Sequence, residues 1–131
     1  MSHNNDIESM NVNTSGGRTH ACTGQVGKNA AVFTWDTTTG QKIKRVQLGK
    51  TERGVAAICI SPDAKYVATA DKHNDHNVVI WDMSSGDPVM RDKGGPDPIF
   101  DLTFSKKPGH VACWSVGKKH IAYWDKEKGK K

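Results

Sequence analysis

The residues best placed to act at a distance are lysines in the last fifth of the chain. Residues 106–131 hold eight lysines against Asp125 and Glu127, a local charge of +6, whereas residues 1–105 sum to −1. Lys106 and Lys107, Lys118 and Lys119, and the series Lys126, Lys128, Lys130 and Lys131 form clusters able to steer toward a polyanion, with an attraction that salt weakens. The plainer reading is a solubilising basic tail. Nucleic acid is one candidate polyanion, but no zinc-finger, RNA-recognition or KH signature accompanies these lysines, and aromatic residues interleaved with them are scarce.

Other constellations carry less chemistry. His73 and His76, with Asp71 and Asp75 nearby, offer metal-ligand types, but on an extended turn their directions are not fixed, so a turn role is expected and no metal. Cys22, Cys59 and Cys113 make an odd set without a Cys-x-x-Cys pair, each inside an apolar run, and read as buried, reduced thiols. Gly49-Lys50-Thr51 mimics the end of a phosphate-binding loop, yet the glycine required five residues before Gly49 is Lys44. There is no nucleophile elbow, His-Glu-x-x-His helix or dinucleotide-binding glycine turn. These readings predict a non-enzymatic protein without a cofactor.

The elements that would position these side chains follow from a repeat. Trp35-Asp36, Trp81-Asp82 and Trp124-Asp125 recur at spacings of 46 and 43 residues, and Gly40, Gly86 and Gly129 follow each pair at the same distance. Between the pairs lie short apolar runs and tight turns: Val55–Ile60, a turn at Ser61-Pro62-Asp63, Tyr66–Ala70 and Asn77–Trp81, then Ile99–Phe104, Val111–Val116 and His120–Trp124. Runs apolar at successive positions fit strands covered on both faces, while Lys42–Leu48, rich in charge, reads as an outer strand. The period and the Trp-Asp signature predict an all-β chain, a partial WD40 β-propeller of two to three antiparallel four-stranded blades.

The 131 residues, with mean hydropathy −0.65 and 35% hydrophobic residues, suit one soluble domain. No apolar run is long enough for a membrane helix and the start is polar, so a soluble intracellular protein is expected. Residues 1–17 read as a polar, flexible N-terminus, 18–125 as the blades and 126–131 as a basic tail. On this reading the first blade lacks its innermost strand and the last its outermost. Three blades cannot close a ring of four to eight, so further blades or other chains are expected against the two open faces.

Three stretches carry a resemblance beyond the repeat: Cys22-Thr-Gly-Gln-Val-Gly-Lys-Asn-Ala-Ala-Val-Phe-Thr-Trp-Asp36; Arg53–Asp63 with Asp75–Asp82; and Ile99–Phe104 with Ser115–Trp124. Over residues 18–125, in order, they resemble the echinoderm microtubule-associated protein-like family. The resemblance implies a microtubule-associated scaffold of the cytoskeleton, in a ciliary or flagellar axoneme, with acidic tubulin as the polyanion. A general propeller adaptor and an RNA-associated scaffold are the alternatives. Many WD40 repeats carry an Asp six residues before the Trp; here that position is Asn29, Asp75 and Lys118, so Asp75 is expected to brace a turn.

Overall fold

The structure, a computed structural model, describes residues 7–15, 18–25, 31–47, 54–71, 75–107, 110–126 and 129–130. All described regular structure is β. The first sheet contains β1 (Ile7–Ser15), β2 (Arg18–Gln25), β3 (Ala31–Asp36) and β4 (Lys42–Gln47). The second contains β5 (Val55–Ile60), β6 (Tyr66–Asp71), β7 (Asn77–Asp82) and β8 (Pro88–Lys93). The third contains β9 (Ile99–Phe104), β10 (Ala112–Gly117), β11 (His120–Asp125) and the two-residue β12 (Gly129–Lys130). Each sheet is an antiparallel meander in chain order, and β1, β5 and β9 lie side by side.

The repeated hexapeptide builds one turn. Asp36 Oδ1 accepts hydrogen bonds from the Thr38 and Thr39 amides, and Gly40, at φ 72°, donates its amide to Asp36 O. In the next repeat Asp82 Oδ1 accepts from the Ser84 amide and hydroxyl, and Gly86, at φ 79°, bonds back to Asp82 O. Glycine adopts this left-handed backbone without a Cβ penalty, which fixes its distance from the Trp-Asp pair.

Two expectations are corrected. The stretch expected to be flexible, residues 1–17, contains strand β1, so the first sheet has its innermost strand. Its polarity has a specific use: the Ile60 amide donates to Asn11 Oδ1 (3.1 Å), Asn13 Nδ2 donates to Ile60 O (2.9 Å), and Ser9 Oγ donates to Val55 O (3.4 Å). Asparagine side chains here hold the neighbouring inner strand's backbone, a task that apolar periodicity does not reveal. The third sheet likewise has an outer strand, because Trp124 and Asp125 pair with Lys130 and Gly129.

Stacking of the sheets makes the core. Val32 and Cys22 of the first sheet meet Val55, Ile58, Ile60, Val67 and Trp81 of the second. Cys59, Ala68, Ala70, Val78 and Ile80 on its other face meet Leu102, Phe104, Cys113 and Trp124 of the third. Both faces of the second sheet are therefore covered, which explains the runs Val55–Ile60 and Val78–Trp81 that do not alternate. Each repeat tryptophan occupies the same place, opposite Ala21, Val67 or Cys113, and Trp81 and Trp124 pack against the preceding sheet. Trp81 and Trp124 are 3% and 0% exposed, but Trp35, with no preceding sheet among the described residues, is only half-buried.

Candidate functional site

In every repeat the tryptophan indole N–H donates to a hydroxyl on the neighbouring strand. Trp35 Nε1 reaches Thr23 Oγ1 at 3.0 Å, Trp81 Nε1 reaches Thr69 Oγ1 at 2.9 Å and Trp124 Nε1 reaches Ser115 Oγ at 2.8 Å. Trp35, Trp81 and Trp124, with Asp36 and Asp82, thus serve the scaffold. The Asp125 carboxylate also faces a histidine, with its Oδ2 3.2 Å from His110 Nε2. The Asp75 carbonyl accepts the Gly95 amide and its carboxylate lies 3.4 Å from Lys93 Nζ. Asp71, passed over in the sequence except as a metal ligand, is buried and accepts from both the backbone amide and the side-chain Nδ2 of Asn77. Two acids flanking one hairpin turn were the available signal.

His73, Lys50 and Thr51 lie outside the described residues. His76 sits in the left-handed region at φ 46°, and among the described residues no three metal-ligating side chains gather.

All three cysteines are reduced and buried in the stacked faces. Burial pushes the Cys22 thiol up to about 12, and it pushes Cys59, with Cys113 beside it, up as well. Because the folded thiol holds its proton more tightly than the unfolded one, this contribution to stability is complete below the ordinary thiol value of 9.0 and declines above it. Native protein at pH 8 is therefore expected to resist alkylation at all three positions and to label fully in denaturant, read by mass spectrometry.

The lysine clusters do not form one surface. Hairpins alternate ends along a meander, so the β9–β10 turn with Lys106 and Lys107 shares an end with Lys126 after β11, while Lys118 and Lys119, between β10 and β11, occupy the opposite end. All five are exposed. Lys128 and Lys131 lie outside the described residues, and Lys130 is described only as backbone of β12.

The first end also gathers residues that the charge count did not single out. Lys65 follows the β5–β6 turn, Lys44 Nζ donates to Ser84 O at 3.0 Å, and Lys126 Nζ lies 6.0 Å from the Tyr66 ring centre. Between the β5–β6 and β9–β10 turns runs a groove of about 510 Å³, walled by Pro62, Lys65, Lys106, Lys107 and His110.

Both outer flanks of the stack carry exposed apolar side chains. Ile7, Met10 and Val12 of β1 take the places of the buried Val55, Ile58 and Ile60, and Met10 is 67% exposed. On the far side Phe100, Trp114, Val116 and Ile121 are exposed, Ile121 at 70%. Trp114 stands where the first and second sheets carry the smaller Cys22 and Ala68, and its ring packs 4.8 Å from that of Tyr123.

Three stacked four-stranded meanders, each carrying the same Trp-Asp turn and the same indole-to-hydroxyl bond, define consecutive blades of a β-propeller, and the chain belongs to the WD40-repeat proteins. It is similar to the ciliary WD repeat-containing protein ctxp80 of Euplotoides octocarinatus, at 43% identity over 125 residues, covering 95% of this chain and 17% of that protein. It is also similar to echinoderm microtubule-associated protein-like 3 of Mus musculus, at 30% over 96 residues, 72% of this chain and 11% of that protein. The 77 kDa echinoderm microtubule-associated protein of Lytechinus variegatus is 28% identical over 138 residues, 99% of this chain and 20% of that protein. The chain thus spans a fifth or less of these relatives' lengths. No family model matches it. Among solved structures the RRP9 WD40 repeats superpose with TM-score 0.70 at 20% identity, over 100% of this chain and 39% of that one, and U3-55K with TM-score 0.69.

Proposed function

We propose that the chain contributes rigid blades to a non-enzymatic WD40 scaffold that associates with microtubules, in the cytoskeleton of a cilium or flagellar axoneme. The observation that carries this reading is 43% identity over 95% of the chain to a protein named as ciliary, joined by relatives named as microtubule-associated. The partner is tubulin, whose acidic surface meets the end bearing Lys106, Lys107 and Lys126, with Lys128, Lys130 and Lys131 adding to the same attraction. Lys118 and Lys119 belong to the opposite end and contribute little. Further blades or other protein chains cover the flanks at Met10 and Trp114, whose apolar side chains are costly to leave in water. A general adaptor role in another complex is the second reading, favoured by those same flanks.

Co-sedimentation with microtubules across a salt series tests the proposal. Binding is expected to weaken as salt rises and to fall when the acidic tubulin tails are removed. Deleting residues 126–131 is expected to flatten the salt dependence. Binding indifferent to salt and to the tails would favour the adaptor reading.

A further inference from the structure

We infer that the groove between the second and third sheets is a docking site for an extended acidic peptide carrying one apolar side chain. This deepens the microtubule reading only in sharing its attraction to acidic chains; it concerns a defined groove and a defined ligand chemistry.

The floor calls for the apolar group. Phe104 is buried at its base, and half-buried Tyr66 and Val111 continue it outward. The walls call for carboxylates, because Lys65 stands on one side and Lys106 and Lys107 on the other, all three exposed. The carboxylates already nearby are engaged within the protein. Asp63 Oδ1 accepts the Ser61 hydroxyl at 2.6 Å and the Lys65 amide at 3.0 Å, and Asp125 Oδ2 is held by His110 Nε2. Among the described residues no carboxylate lies within ion-pair distance of the Lys65, Lys106 or Lys107 ammonium groups. Asp63 itself lines the groove and keeps its charge, so three lysines outweigh one carboxylate and the lining is net positive.

The backbone holds the walls in place. The Ser61 amide bonds to Tyr66 O (2.9 Å) across one turn, the Ser105 amide to Ala112 O (2.8 Å) across the other, and the Lys126 amide to Val111 O (2.9 Å) ties β11 to the groove's edge. A peptide thus meets a preformed cleft, within the size range of about 300–1,000 Å³ usual for ligand sites. Nucleic acid fits the same charge less well, since single strands bind by stacking bases on exposed aromatic faces and the Tyr66 ring already has the Lys126 ammonium over it.

Fluorescence anisotropy of the 131-residue chain with a labelled peptide of six glutamates flanking a central phenylalanine tests the site. Saturable binding is expected, weakened about tenfold or more by Lys65→Glu with Lys106→Glu, and nearly unaffected by Lys118→Glu with Lys119→Glu. Replacing the peptide's phenylalanine by alanine is expected to weaken binding several-fold at every salt concentration. Circular dichroism of each variant checks that it is folded. The proposal is overturned if the folded Lys65/Lys106 variant binds as well as the parent, if the Lys118/Lys119 variant loses as much, or if an oligothymidylate displaces the peptide at lower concentration than unlabelled peptide does. Microtubule binding that persists while peptide binding is absent would remove the groove and leave the microtubule reading intact; the converse would remove that reading and leave the groove.

Discussion

Trp124→Ala is expected to cost about 3–5 kcal/mol, seen as a large fall in the denaturant midpoint. The indole is fully buried between the second and third sheets among Cys59, Ile80 and Phe104, and its N–H is bonded to Ser115. Truncation removes that packing and leaves the Ser115 hydroxyl, itself buried, without the indole as donor. Trp35→Ala is expected to cost roughly half as much, because Trp35 makes the equivalent bond to Thr23 but has no preceding sheet over it among the described residues. Equal costs at the two positions would mean that Trp35 is covered as Trp124 is.

Gly94→Ala is the second large effect, expected to lower stability by about 3 kcal/mol and the melting temperature by roughly 10 °C. Gly94 follows β8, is buried, and donates its amide to His76 O at 3.0 Å. A Cβ there would sit 2.3 Å from that same carbonyl oxygen and 2.8 Å from Ile99 Cδ1. The oxygen belongs to backbone at the start of β7, so relief requires separating the β6–β7 and β8–β9 connections. Gly95→Ala meets no such atom, but at φ 104° the added Cβ strains the backbone, giving a smaller loss from a different cause. Calorimetry of the pair separates collision from conformational strain.

The fold was legible wherever apolar residues and turn signals coincide. Val55–Ile60 and the Trp-Asp turns stand out because the second sheet is covered on both faces and glycine takes a left-handed position, and Ile99–Phe104 stands out by its buried Ile99, Leu102 and Phe104. Strand β1 escaped because its work is done by Ser9, Asn11 and Asn13 through hydrogen bonds to β5, and in a list of residues they look like a linker. Strand β8, Pro88–Lys93, was not recognised, since an outer strand with exposed Arg91 and Lys93 carries little apolar pattern. Asp125 shares the motif position of Asp36 and Asp82, and the fold adds a neighbour the motif does not show, His110, fifteen residues upstream in sequence and 3.2 Å from its carboxylate.

The lysines show the limit most clearly. A charge count along the chain joins Lys106, Lys107, Lys118, Lys119 and Lys126 into one basic segment, but an antiparallel meander sends successive turns to opposite ends. It also brings Lys65 and Lys44, remote in sequence, to the end that holds Lys106 and Lys126. Local sequence records how many charges there are; strand reversal decides which of them share a surface.

That partition is open to direct measurement by microtubule co-sedimentation of two charge-reversed chains at matched salt. Lys106→Glu with Lys107→Glu and Lys126→Glu is predicted to reduce binding about tenfold or more, whereas Lys118→Glu with Lys119→Glu stays within about twofold of the parent. Equal losses in the two chains, or no loss in the first while it remains folded, would contradict the assignment of the acidic lattice to one end of the blades.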